Sequence, residues 1–145
     1  MTNILIAAFL AAIAGMAVTI QSPLASILNQ RIGQIESVFI VHIGGTIVSG
    51  MILLLIGGGN MRAWRETPWY TWLAGLLGLV VISSVNIAIV RLGSVATVSI
   101  MVAAQLALGA VMDHFGWLGL DVRPMTLPRI IGMAVMGVGA WLVVR

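Results

Sequence analysis

The sequence contains no cysteine, and only 8% of its residues are charged, against roughly a quarter in ordinary soluble domains. The absence of cysteine excludes a disulfide framework, a thiolate metal site and a cysteine nucleophile. The scarcity of charge excludes a soluble domain, because 61% of the 145 residues are hydrophobic. The seven basic residues are single, scattered arginines. They form no clustered basic face, so we expect no nucleic-acid partner.

Long runs without Asp, Glu, Lys or Arg fill nearly all of the chain. They are Met1–Gln30, Ser37–Met61, Thr67–Val90, Leu92–Met112 and Ile130–Val144. A helix needs about 20 mostly apolar residues to cross the hydrocarbon core of a bilayer. Four runs meet that length, and the fifth reaches it if it begins near Met125. The sequence therefore predicts an all-α integral membrane protein, a single domain over 1–145, with five transmembrane helices at about 3–31, 35–56, 68–90, 94–113 and 126–144.

Glycine and proline mark the predicted ends of these helices. Pro23 lies inside the first run, which would be ~45 Å long as one helix, so we expect a bend there. The segment Gly57-Gly58-Gly59-Asn60 predicts the stop of the second helix, and Pro68 and Pro128 fit first turns. Between the second and third helices, aromatic and charged residues predict an interfacial belt of Arg62, Trp64, Arg65, Glu66, Trp69, Tyr70 and Trp72.

The arginines are almost evenly divided between the two sides of the predicted bundle. The side of the N-terminus has Arg62, Arg65, Arg123 and Arg129, and the opposite side has Arg31, Arg91 and Arg145. Because an excess of Lys and Arg normally fixes orientation, this balance predicts insertion in both orientations. Two opposite copies then form an antiparallel homodimer with the symmetry of an inverted-repeat transporter. The alternative is a protein of single orientation that merely has few charges.

Several short motifs follow one another in a fixed order. They are Gln21-Ser22-Pro23 followed by Asn29, Gly44-Gly45-Thr46 within Ser37–Gly50, Pro68-Trp69 before Gly75-Leu76-Leu77-Gly78, Arg91-Leu92-Gly93, Ala103-Ala104-Gln105-Leu106, Asp113-His114-Phe115-Gly116 and Arg129-Ile130-Ile131-Gly132. Together they resemble the YdcZ-type family of the drug/metabolite transporter superfamily, over essentially the whole chain.

The resemblance implies a multi-pass protein of the bacterial inner membrane with five helices, similar to one half of the ten-helix inverted-repeat members of that superfamily. It also implies kinship with the four-helix small multidrug exporters, which work as antiparallel dimers. Those exporters carry a glutamate in the first helix that binds cation and proton alternately. The first helix here has no acidic residue, so that mechanism does not carry over.

Polar side chains at membrane depth are costly unless they are satisfied, which makes them candidates for a substrate pathway. Gln105, near the centre of the fourth helix, binds substrate or bonds a neighbouring helix. Hydroxyls such as that of Ser83 can instead bond their own helix. The full set of pathway candidates is Gln21, His42, Ser83, Asn86, Arg91 and Gln105.

Three residues are candidates for proton-linked roles. His42 is a candidate because histidine is the side chain that ordinarily changes charge near neutral pH, although a histidine in a membrane helix is more often a packing residue. Asp113 and His114 are adjacent at the end of the fourth helix, where they form a proton relay or an ordinary interfacial cap. Small residues predict close helix packing and are spaced four apart: Ala7, Ala11 and Gly15, and Gly45 and Ser49.

No set of ligands indicates a metal, no motif indicates a cofactor, and no nucleophile–base pair indicates an enzyme. Without a carboxylate at mid-membrane, a strongly cationic substrate would lack a counter-charge. The sequence therefore predicts a secondary transporter or facilitator of a small neutral, amphipathic or anionic molecule. The alternatives are a passive channel made by the same dimer and a non-transporting accessory subunit of a larger membrane protein.

Overall fold

The computed structural model describes residues 2–145, with side chains from Ile4 onward; Met1, where the first charge-free run begins, lies outside this range. Between residues 2 and 145 every regular element is a helix. The four α-helices are α1 (Thr2–Ile32), α2 (Gln34–Ile56), α3 (Leu73–Phe115) and α4 (Leu127–Val144). Short 3-10 helices occupy Met61–Glu66, Trp69–Trp72 and Trp117–Gly119.

Four helical segments of the described chain are long and apolar enough to cross a membrane: Ile4–Ile32, Gln34–Ile56, Trp69–Phe115 and Leu127–Val144. Their large apolar side chains point outward, as Leu54 and Leu55 do with 84% and 83% of their surface exposed. Such a surface suits hydrocarbon, which needs no polar covering, and the helices satisfy their own backbone groups. The fold is therefore that of an integral membrane protein.

The third span differs from the prediction at both of its ends. We expected a helix from 68 to 90 and a short connection at Arg91–Gly93. In the structure Pro68 precedes the 3-10 turn Trp69–Trp72, and α3 then runs from Leu73 to Phe115. The Trp69–Phe115 segment has 47 residues, more than twice the length that one crossing needs.

Glycines in the left-handed region of backbone space divide these helices. Gly33 alone, with φ 103°, separates α1 from α2. Gly57 ends α2 with φ 81°, as its sequence context predicted. Inside α3, Gly93 has φ 78° and ψ 168°, values open essentially to glycine only. Gly93 therefore divides α3 into a first half, residues 73–92, and a second half, residues 94–115.

The chain forms two compact units, one up to Val90 and one from Arg91. In the first unit α1 and α2 form an antiparallel pair, in which Ala25 opposes Ser37 and Gln21 lies beside Val41. In the second unit the second half of α3 faces α4 along a groove, and residues 116–126 connect them. The buried positions carry small or polar side chains, which allow helices to approach closely in lipid.

Candidate functional site

A chain of hydrogen bonds joins three helices of the first unit. Asn86, fully buried on α3, points its Nδ2 at Ser37 Oγ at 3.4 Å. Ser37, fully buried on α2, donates its own proton to the carbonyl oxygen of Ala25 on α1 at 3.0 Å. Beside them, Gln34 Nε2 donates to the carbonyl oxygen of Ser83 at 2.9 Å. Interhelical bonds of this kind hold helices together where the hydrophobic effect cannot.

Two buried oxygen atoms in this cluster have no partner in the described chain, Asn86 Oδ1 and Ser26 Oγ. The donor-to-acceptor order of these hydrogen bonds explains why Asn86 Oδ1 is unpartnered. Because Ser37 already donates to Ala25, it can only accept from Asn86, and this turns the amide oxygen of Asn86 away from Ser37. A buried carbonyl oxygen without a donor costs free energy, so the cluster is only partly satisfied.

His42 is placed by one bond and one close contact within the first unit. Its Nδ1 lies 2.8 Å from the carbonyl oxygen of Val38, so Nδ1 carries the proton in the neutral ring. Its Nε2 lies 3.2 Å from the position that a Cβ on Gly78 would occupy. The absence of a side chain at Gly78 leaves room for this ring. Gln21, by contrast, is exposed on a shallow apolar groove with Leu24, Leu28 and Val41.

The structure thus gathers some of the predicted pathway residues and not others. The side chain of Asn86 donates to Ser37 on α2, whereas Ser83 accepts from Gln34 on α2 through its main-chain carbonyl and not through its hydroxyl. His42 and Gln21 are not bonded to these residues. Arg91 is exposed and opens the second unit.

The groove of the second unit follows from the helical period of its two walls. Gln105, Gly109 and Asp113 are four residues apart and share one face of the second half of α3. On α4, Arg129, Gly132, Met133 and Met136 likewise share a face. Leu106 and Ala110 complete the lining of a cavity of about 450 Å³. A Cβ added to Gly109 or Gly132 would meet nothing within 4 Å, so the two glycines leave the cavity open.

An ion pair lies at one end of this groove. Arg129 donates through Nη2 to Asp113 Oδ2 at 2.6 Å and through Nη1 to the carbonyl oxygen of Arg123 at 3.1 Å. The backbone supports the same corner, because Arg123 N donates to the carbonyl oxygen of Asp113 at 2.8 Å. Nearby, Met125 N donates to His114 Nδ1 at 3.1 Å, which makes that nitrogen an acceptor. These bonds link the end of α3 to the start of α4.

Gln105 lies toward the other end of the groove, about 12 Å from Asp113 along the helix. It is exposed, and within residues 91–145 its carboxamide has no hydrogen-bond partner. A carboxamide at membrane depth is costly to leave unpaired, so Gln105 stays a candidate for binding a ligand or another helix. The groove thus has two polar ends and an apolar middle.

The comparisons with known proteins place the chain in a family. The model of a family described as "Putative inner membrane exporter, YdcZ" matches residues 6–142. The protein belongs to the YdcZ family. A curated relative, "Inner membrane protein YdcZ" of Escherichia coli (strain K12), is 29% identical over 154 residues, covering 100% of this chain and 98% of the relative. No solved structure matches. This YdcZ-family protein is a transporter-like, multi-pass protein of the inner membrane.

The sequence analysis of this YdcZ-family member missed several residues around Asn86 in the first unit and around Asp113 in the second unit. Ser26, Gln34 and Ser37 carried no role in the prediction, although Ser22 and Ser26, one turn apart, already suggest a polar stripe on α1. The pairing of Asp113 with Arg129 was missed as well. The positions of the two residues at the ends of adjacent predicted helices, joined by a short loop, would have indicated it.

Proposed function

We propose that the protein exports a small molecule as an antiparallel homodimer, in which each copy crosses the membrane five times. The family, described as inner membrane exporters, supports transport as the activity. The observation that carries the proposal is the groove from Gln105 to the Asp113–Arg129 pair, which holds polar groups on an otherwise apolar surface. A transport path requires such a site for a substrate that leaves water and enters the bilayer.

The break at Gly93 supports five crossings. The halves of α3 that it separates, 73–92 and 94–115, are each about 20 residues long, which is enough for one passage each. Together with α1, α2 and α4 they make an odd number of spans. With an odd number, the two ends of the chain lie on opposite sides, and an inverted copy can complete a pathway about an axis in the membrane plane.

Exposed small residues support the second copy. The residues predicted to pack helices together are all exposed in the single chain: Ala7, Ala11, Gly15, Gly45 and Ser49. A Cβ on Gly15 or Gly45 would meet nothing within 4 Å. Small faces of this kind favour helix association in lipid, so they suit contact with another copy. The nearly even division of arginines lets that copy insert the opposite way up.

In the proposed mechanism the dimer alternates between two arrangements that are images of each other. Each arrangement opens the groove of one copy to one side of the membrane. We place the end of the groove that carries Asp113 and Arg129 at the water interface and call it the wet end. Gln105 then meets the substrate deeper in the bilayer. The two copies swap conformations once in each transport cycle. Because each cycle moves only the substrate bound in the groove, the transport rate saturates with substrate concentration.

The experiment fills the groove with a larger side chain at a glycine where an added side chain would not clash with the fold. A thermal-shift screen of metabolites uses the wild type, Gly132→Leu and the matched control Gly139→Leu on the same helix; a Cβ at either glycine meets open space. We expect a ligand that stabilises the wild type and Gly139→Leu but not Gly132→Leu. The same ligand should show saturable counterflow in proteoliposomes.

Equal stabilisation of Gly132→Leu would remove the groove from the pathway. Flux that rises without saturation and shows no counterflow would replace the exporter by a passive channel. Stable purification with a larger membrane protein, together with no ligand response, would indicate an accessory subunit instead.

A further inference from the structure

The wet end of the groove carries one negative and one positive side chain, each with unused bonding capacity. Asp113 and Arg129 are 30% and 38% exposed and meet through Oδ2 and Nη2. Within residues 91–145 the structure gives no partner to Oδ1 of Asp113 or to Nε of Arg129. Each side chain can therefore bond to a ligand while the ion pair between Asp113 and Arg129 stays intact.

This arrangement selects for charge on a ligand. An anion drawn to Arg129 would be repelled by Asp113, and a cation drawn to Asp113 would be repelled by Arg129, since the two side chains are in contact. A ligand with one charge of each sign meets a partner at both positions. Electrostatic complementarity of this kind provides specificity more than raw affinity.

The middle of the groove selects for an apolar group. Leu106, Met133 and Met136 line it, and Gly109 and Gly132 leave space between them. Methionine side chains are flexible and adapt to apolar ligands of different shape. The volume of about 450 Å³ lies in the range of small-molecule sites.

We propose that this groove binds a small zwitterion, with an ammonium on Asp113, a carboxylate on Arg129, and an adjoining apolar group along Met133 and Met136. The inference rests on the proposed function, since it takes the ligand of the groove to be the exported molecule. It narrows the substrate from any small neutral, amphipathic or anionic compound to one with paired charges and no net charge.

The test compares three probes that share one apolar side chain and differ in the charges of their amino and carboxyl groups. Leucine is the zwitterion, leucinamide the cation and N-acetylleucine the anion. The readouts are the unfolding temperature of the purified full chain and counterflow in proteoliposomes. We expect leucine to act at concentrations about tenfold lower than either analogue, because each analogue loses one charged hydrogen bond.

Substitutions at Asp113 or Arg129 should change which of the three probes acts at the lowest concentration. Asp113→Asn removes the repulsion of anions, so N-acetylleucine should become the best probe. Arg129→Gln should favour leucinamide for the converse reason. Asp121→Asn and Arg62→Gln, outside the groove, should leave leucine preferred. Asp113→Glu keeps the charge and should also retain leucine, which provides a second measurement if a neutral variant does not fold.

Several results would overturn the proposal. One such result is that two of the probes act on the wild type at equal concentrations, in both unfolding temperature and counterflow. Neutral variants that only lower the unfolding temperature, without exchanging the preference, would make the pair a structural link between α3 and α4. Stabilisation by phosphatidylethanolamine in nanodiscs, without a response to leucine, would assign the groove to a lipid headgroup.

The outcomes also separate this inference from the proposed function. Saturable counterflow of some other compound, with no response to leucine, would reject the zwitterion and keep the exporter. Binding of leucine without counterflow would keep the zwitterion site and reject the exporter.

Discussion

Ser37 decides how Asn86 is oriented, although its side chain is far smaller. Its hydroxyl proton goes to the carbonyl oxygen of Ala25, which leaves a lone pair for the amide nitrogen of Asn86. The bond to Asn86 is long, at 3.4 Å, and Asn86 Oδ1 is unpartnered. We therefore expect Ser37 to contribute more to stability than the larger and more polar Asn86.

We predict that Ser37→Ala lowers the free energy of unfolding by about 1 kcal/mol, because it leaves the buried amide nitrogen of Asn86 without an acceptor. Asn86→Leu should be nearly neutral, because it removes an unsatisfied oxygen and only a long hydrogen bond. Unfolding in mixed detergent micelles measures both. A larger loss for Asn86→Leu than for Ser37→Ala would show that Oδ1 is satisfied in the membrane.

Candidate residues could be predicted from the sequence only as far as polarity and depth allow. Asn86 and Gln105 stood out because carboxamides are rare in transmembrane helices. Ser37 did not, because a hydroxyl in a helix can bond its own backbone, as Thr46 and Thr97 do here. Which hydroxyl bonds across to another helix depends on which faces meet, and a single sequence does not specify this.

Gly93 interrupts the helical backbone of an otherwise continuous apolar segment. Its φ and ψ of 78° and 168° lie in a region that other residues enter only with strain of about 1–3 kcal/mol. The sequence predicted a connection at Arg91–Gly93 from charge and glycine. It did not predict that one residue suffices, since loop length depends on how the flanking helices pack.

We predict that Gly93→Ala lowers the free energy of unfolding by about 1–3 kcal/mol. Gly75→Ala, in the helical first half of α3, should raise it by about 0.5–1 kcal/mol, since the helix there accepts alanine and open space surrounds it. The opposite signs make Gly75 a matched control. Stability of the purified variants against heat measures both. Equal effects would show that residues 91–95 are helical in the membrane.

At the scale of the whole molecule, hydropathy predicted an all-helical membrane protein, because hydrocarbon forces every backbone group into a helix. The contacts between helices were much less predictable. Few large apolar residues are buried, so no hydrophobic core dictates the packing. The count of arginines, four on one side and three on the other in the predicted five-helix topology, is a property of the entire chain and carries the prediction of two orientations.

We predict that fixing the orientation abolishes transport and that mixing the two fixed forms restores it. Asn60→Lys with Glu66→Lys biases the chain one way, and Glu36→Lys with Arg62→Gln and Arg65→Gln biases it the other way. A reporter at the C-terminus should detect both compartments for the wild type and one compartment for each variant. Export should return only when both variants are expressed together.

Full activity of either variant alone would contradict the antiparallel dimer. A one-sided reporter signal from the wild type would do the same. A parallel dimer or a single subunit would then have to provide the pathway.

The one-residue joints at Gly33 and Gly93 leave little room for added sequence. If the chain crosses the membrane five times, as we propose, both joints would lie on the side of Arg31 and Arg91, and the longer connections, residues 57–72 and 116–126, would lie on the other side. A foreign epitope or an extra domain therefore finds a tolerant insertion point at one end of each subunit only. In a pair of inverted subunits, this would leave two such connections, both from the same subunit, on each side of the membrane.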